Sequence, residues 1–303
     1  MPALKERPRD PEAVAETSVR EAMLRNRAFF VHTIQERKEL RHNENSNIAK
    51  ETTFEDDLDV LLAFEPGISA SSVMPGADEG GNVSGIWSES GGVLVLGGSI
   101  SAADRQDAGT ISQGIRDRQA FESSRVSDAT GIDAVVNAPR RARAGEFGGH
   151  NEFVIDSPEV GGYFKPGSRD EHGNFWARPW MRQDLDNLHE AYARNPDSSE
   201  CRQLSEMFEA NLNSYRERMK EVRSRGLPFY LMTEDRRFFE VRSVNDNGTV
   251  EVGEELRPEQ AVAARAGIAP EARRQIGQRL IEQKKVFRNE KDYMEAQAIV
   301  DSL

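Results

Sequence analysis

Phe29-Phe30-Val31-His32-Thr33-Ile34 and Asn151-Glu152-Phe153-Val154-Ile155 are the two stretches that decide how this chain is read. Both are short runs of aromatic and β-branched residues, the composition that fits a pleated, half-buried surface. Each also sets a polar group among apolar neighbours. In the first it is His32 with Thr33. In the second it is Glu152, at the start of the run. Polar residues at strand ends beside apolar neighbours are typical of sites built at the mouth of a sheet. Between the two runs lies the Ser-rich segment Ser69-Ala70-Ser71-Ser72.

Working outward, Pro11 to Arg27 reads as a helix with Val14, Val19, Met23 and Leu24 as a sparse apolar face. Gln35 to Thr52 is polar and carries no strand signal. Thr53 suits an N-cap, with Glu55, Asp56 and Asp57 in the first turn, where the helix dipole favours negative charge. Leu58, Leu61, Leu62 and Phe64 are the buried face of that helix, and Pro66-Gly67 stops it. Ile68 to Gly92 is small and polar and reads as a long loop. Val93-Leu94-Val95-Leu96 is a buried strand between glycine pairs. Ser101 to Arg125 reads as a helix, and Ala138 to Gly149 is basic and then Gly-rich. Asp156-Ser157-Pro158-Glu159 is a turn signal, so Val160 to Phe164 is expected to fold back on Asn151 to Ile155 as a hairpin.

Composition shifts near Lys165. Gln183 to Ala193 is helical. Asp197 with Glu200 resembles a capping box at the start of a longer helix. That helix places Cys201, Leu204, Phe208, Leu212, Tyr215, Met219 and Val222 at steps of three or four, one continuous face. Gly226 ends it. Phe229 to Met232, Phe238 to Val244 and Thr249 to Val252 then form a β-meander, with Asn247-Gly248 as its second turn. Pro258 to Leu303 is helical, broken at Gly267 and Pro270. The expected fold class is α+β: residues 1–28 a helical arm, 29–165 a domain of strands and Gly-rich loops, 166–303 a mainly helical region with a small meander. The elements do not alternate as βαβ, which argues against a doubly wound sheet.

Composition narrows the function. The chain has 303 residues, 37% of them hydrophobic, and a formal net charge of -12. That is enough apolar material for a core and the wrong sign for a phosphate-binding scaffold, so nucleic acid is not an expected partner. No window of 18 apolar residues exists to span a bilayer. Met1 to Asp10 lacks the apolar run of a secretory signal peptide. Cys201 is the only cysteine, which excludes an intrachain disulfide and a Cys-based zinc site. Its place in the apolar stripe reads as a buried structural thiol. His32, His42, His150, His172 and His189 show no zinc spacing. Asp56, Asp57 and Asp59 lack the glycine and terminal Glu of a calcium loop. Gly97-Gly98-Ser99 lacks both the Walker lysine and the full dinucleotide glycine pattern.

The two opening stretches, with the serines between them, resemble the ADP-ribosyltransferase family. Members carry a His or Arg on an early strand, a Ser, Thr or Tyr element in the middle, and a Glu that opens a late strand. Phe-Val-His32-Thr33 is similar to the first element, Ser71-Ser72 to the second and Asn-Glu152-Phe-Val-Ile to the third. The resemblance covers about the first half of the chain. It implies a split β-sheet that clamps NAD, with NAD as substrate and a protein side chain as acceptor. It also implies a bacterial effector, delivered into a host cell by a specialised secretion system, that modifies a host protein. Two residues before Glu152 stands His150, where many arginine-modifying members carry Gln or Glu.

The chemistry explains why these residue types are needed. Breaking the nicotinamide–ribose bond passes through an oxocarbenium-like cation, which a nearby carboxylate stabilises. The resemblance assigns that task to Glu152. It assigns a ribose hydroxyl to His32, with Thr33, Ser71 and Ser72 beside the bound NAD. An aromatic can stack on nicotinamide, and Tyr163 or Phe164 is the candidate. Arg140, Arg141 and Arg143 are candidates for the NAD phosphates. Each residue also has a plainer reading: an edge histidine, a solvated carboxylate, a loop, a core aromatic, a basic surface patch. Two other functions stay open. One is NAD glycohydrolysis on the same fold. The other is a non-enzymatic adaptor that docks a host protein through the helix after Asp197.

Overall fold

In a computed structural model, residues 18–34, 54–64, 68–76, 91–104, 152–263, 268–283 and 290–303 are described. Among them are nine strands, and seven helices pack around the sheet they form. The strands are β1 (Phe29–Ile34), β2 (Ile68–Val73), β3 (Gly91–Asp104), β4 (Glu152–Pro166), β5 (Ser168–Arg169), β6 (Phe175–Trp176), β7 (Phe229–Met232), β8 (Phe238–Val244) and β9 (Thr249–Leu256). The helices are α1 (Val19–Asn26), α2 (Phe54–Phe64), α3 (Met181–Arg194), α4 (Ser199–Ser224), α5 (Pro258–Ala263), α6 (Pro270–Gln283) and α7 (Glu290–Ser302).

The long antiparallel pair β3–β4 is the spine. Its ladder runs from Gly92 opposite Phe164 to Asp104 opposite Glu152, with several register shifts on the way. β1 lies antiparallel along β3, with Val31 opposite Leu94. β2 bonds to both β1 and β4. The pairings β2–β1, β1–β3, β3–β4 and β4–β2 therefore close a ring of four strands. At its other end β4 runs parallel to β7, from Tyr163 opposite Phe229 to Pro166 opposite Met232. The sheet continues through β8, β9, β6 and β5, so it crosses the composition shift at Lys165 without a break.

Three sequence expectations are corrected here. Asn151 to Ile155 and Val160 to Phe164 do not form a hairpin: residues 152–166 are one strand, and its antiparallel partner is β3. β3 is long enough to satisfy both halves, so the turn signal is absorbed as an irregularity with Ser157 at φ 49°. Ser101 to Asp104 is strand rather than helix, because β4 supplies a ladder there. Ile68 to Val73 is a strand, not loop. Its side chains are too small to signal a strand, but small side chains fit here. Ser72 faces Phe30 and Ala70 faces Phe153 across the ladders, and those two rings meet edge to face at 4.9 Å. The expected helix over 105–125, the Thr53 cap and the basic Arg140 to Arg143 patch lie outside the described residues.

The core follows from the curl of the sheet. Phe29 of β1 packs edge-on against Phe238 of β8 at 5.0 Å, and Phe164 of β4 meets the same ring at 5.4 Å. β1 and β8 stand well apart in strand order, so this contact requires the sheet to bend until its two parts face each other. On the other face Phe229 meets Tyr163 at 5.5 Å and Tyr215 of α4 at 5.2 Å. The α4 stripe is realised: Cys201, Phe208, Leu212, Tyr215 and Val222 are buried, while Leu204 and Met219 are half-buried. The cap of α4 is Ser198, one residue after the expected Asp197, and its hydroxyl accepts from the Cys201 amide at 3.1 Å. α1 lies on β3 and α2 against β1 and β4, while α6 and α7 pack on α2.

Candidate functional site

β2 changes partner midway, and that is the most informative local geometry. Its last three residues pair with β1: Ser71 opposite Val31, Ser72 opposite Phe30 and Val73 opposite Phe29. Its first three pair with β4: Ile68 opposite Ile155, Ser69 opposite Val154 and Ala70 opposite Phe153. The exchange falls between Ala70 and Ser71. His32 is the first residue of β1 past the last β1–β2 pair. Glu152 is the residue of β4 just before the first β2–β4 pair. Two residues far apart in sequence thus sit at the same junction of the backbone ladder.

The residues named from sequence are distributed as follows. His32 and Thr33 are partly exposed on β1, opposite Val93 and Gly92 of β3. Ser71 is partly exposed at the exchange point, whereas Ser72 beside it is fully buried. Glu152 opens β4 with Asp104 as its ladder partner. Tyr163 lies on the same ladder row as His32, two strands across through Val93, at about 10 Å by strand spacing. It is fully buried with its ring against Phe229, so no face of that ring is open to a ligand. The junction therefore gathers the backbone of His32, Thr33, Ser71 and Glu152. It leaves Ser72 and Tyr163 in the core.

Gly92 makes this packing possible. A Cβ there would lie 2.5 Å from the His32 carbonyl oxygen and 2.8 Å from the Phe164 ring. Only a residue without a side chain lets β3 pass between them.

Sequence pattern misses the buried charge. Lys165 follows Phe164 on β4 and is 1% exposed. Burial first, and then the Arg178 and Arg218 guanidiniums, hold its ammonium pKa well below the ordinary lysine range. Arg178 is itself buried. The Tyr215 hydroxyl is fully buried, and burial pushes its pKa up against the opposing pull of Arg178 and Arg223. Asp59 on α2 is 4% exposed and binds two arginines from other helices. The Gly-Gly-Tyr-Phe-Lys-Pro context of Lys165 is a signal that could have found it: the one cation of β4, next to an apolar aromatic pair.

The β5–β6 hairpin is polar, but its order is internal. Asp170 accepts hydrogen bonds from the His172 and Asn174 amides, the Asn174 side chain and Trp176 Nε1, at 2.8–3.1 Å. These outweigh the desolvation that would raise its pKa and hold the carboxylate below its ordinary range. Among the described residues no group of His, Cys, Asp and Glu could hold a metal ion. Among them, too, no helix is long and apolar enough to cross a membrane. Compared with known proteins, the chain matches no family model, no curated protein and no solved structure.

Proposed function

We propose that this protein transfers ADP-ribose from NAD to a protein side chain, on an ADP-ribosyltransferase-like split sheet. The observation that supports the reading is the partner exchange of β2. It brings the early-strand His32-Thr33, the middle Ser71 and the strand-opening Glu152 to one junction, in the order the motif resemblance requires.

The chemistry balances with these groups. The bond between the ribose C1′ and the nicotinamide nitrogen breaks, and its electron pair leaves with nicotinamide, whose positive charge is thereby neutralised. The Glu152 carboxylate faces the sugar cation that remains and accepts a hydrogen bond from the 2′-hydroxyl. His32 fixes a ribose hydroxyl. Thr33 and Ser71 border the nicotinamide end. A nucleophile on the acceptor protein forms the new bond to C1′ and gives up a proton. The acceptor is a host protein in this reading, and the chain is an effector that works outside the cell that made it.

Nicotinamide release from NAD, with and without a cell lysate as acceptor, tests the proposal. Wild type should release nicotinamide and label a protein band from the lysate. Glu152→Gln should slow release at least about a hundredfold, the scale on which one group placed for developing charge usually counts. Equal rates in wild type and Glu152→Gln would refute it. Rapid release by the protein alone, with no labelled acceptor, would assign the same site to NAD glycohydrolysis.

A further inference from the structure

The buried carboxylate on α2 points to a conformational device at the C-terminal end of the chain. Asp59 Oδ1 accepts from Arg225 Nε at 2.6 Å, and Arg225 is the C-cap of α4. Asp59 Oδ2 pairs with Arg279 of α6. The side chain of Asp59 is 5% exposed, Arg225 12% and Arg279 48%. One turn further along α2, the Ala63 carbonyl accepts from Arg273 Nε at 2.9 Å. α6 therefore grips α2 with two arginines, Arg273 and Arg279, at two successive turns.

The rest of the packing sets this pair of helices apart. α6 and α7 press closely on each other: a Cβ at Gly277 would come within 2.5 Å of the Val300 side chain. Leu280, Ile276, Ala296 and Val300 are buried. Among the described elements, α2 is the one that carries the main packing of both helices. A unit with one apolar seat and a polar grip at its edge is the kind that opens as a block while the core stays closed.

We infer that α6 and α7 form a clasp that opens as one unit from α2, with the Asp59–Arg279 pair as its latch. Arg225 stays on Asp59 when the clasp opens, because it is anchored at the end of α4 and also pairs with Glu221 at 3.0 Å. Opening therefore leaves the buried carboxylate neutralised. It uncovers the Ala63–Phe64 end of α2.

Amide hydrogen exchange of the full chain tests this. Arg279→Gln removes the half-exposed partner and leaves Asp59 paired with Arg225. It should speed exchange in 270–283 and 290–302 together, by about fivefold, the reach of one partly exposed ion pair. Amides of β3, β4 and β8 should not change. Arg279→Lys should restore most of the protection. Acceleration spread equally over the sheet would make the pair an ordinary stability contact and overturn the clasp. So would acceleration in α6 without α7, or no change in either.

Discussion

The ring β1–β2–β3–β4 and the block from α3 to β9 are built by opposite rules. In the later block each element packs on its neighbour in the chain. α3 and α4 form a helical hairpin, and β7, β8 and β9 a meander with short turns. In the ring, the long ladder joins β3 to a β4 that starts only at Glu152, and β4 closes back on β2. The local block is held by signals within a few residues of one another. The ring is held by pairings that exist only once distant segments meet, so loop-closure entropy must be spent before any contact returns it. The proposed site lies in the ring, because such closure brings residues as distant as His32 and Glu152 to one junction.

If the two regions share one core despite this difference, a residue touching both must matter to both. Phe238 is such a residue, with Phe29 and Phe164 of the ring packed edge to face against it. Phe238→Ala should cost about 3–5 kcal/mol, and urea unfolding should remain a single transition at lower midpoint. Two separated transitions, with the ring unaffected, would break the comparison by making the regions independent.

A smaller effect sharpens the local side. Ser198→Ala removes the hydroxyl that caps α4 and should cost about 1 kcal/mol. Exchange should rise in the first turn of α4 and nowhere in β1 or β3. A further effect is confined to alkaline pH. Burial first, and then the charge of Glu240, push the Tyr230 hydroxyl up to about 12. The unfolded chain loses that proton near pH 10, before the folded chain does. The contribution is intact below pH 10 and is lost as pH rises toward 12. Tyr230→Phe should flatten the fall in stability over that window, and an unchanged slope would show that other groups set it.

The same contrast explains what could be read in advance. The α4 stripe, the meander and the Asn247-Gly248 turn were legible because each is written within one or two turns of chain. Gly248 takes φ 82°, as that turn needs. β1 was legible from its apolar run. β2 was not, because Ser69-Ala70-Ser71-Ser72 owes its strand to partners on β1 and β4 rather than to its own side chains. The turn at Asp156 to Glu159 misled for the same reason: a long partner outweighed a good local signal. At the candidate site, the backbone junction was not legible, because it exists only through the partner exchange of β2. Burial of Ser72 and Tyr163 depends on Phe30 and Phe229, which no spacing rule joins to them. Asp59 was invisible as a buried charge because its partners Arg225 and Arg279 lie on other elements.

The most direct test is a double-mutant cycle on nicotinamide release from NAD, with His32→Ala, Glu152→Gln and the pair. Two groups that hold one ribose should not act independently. The expected result is that each single variant is slow and the double variant is scarcely slower than Glu152→Gln alone. Effects that multiply, or a wild-type rate in either single variant, would contradict a shared site at the β2 junction.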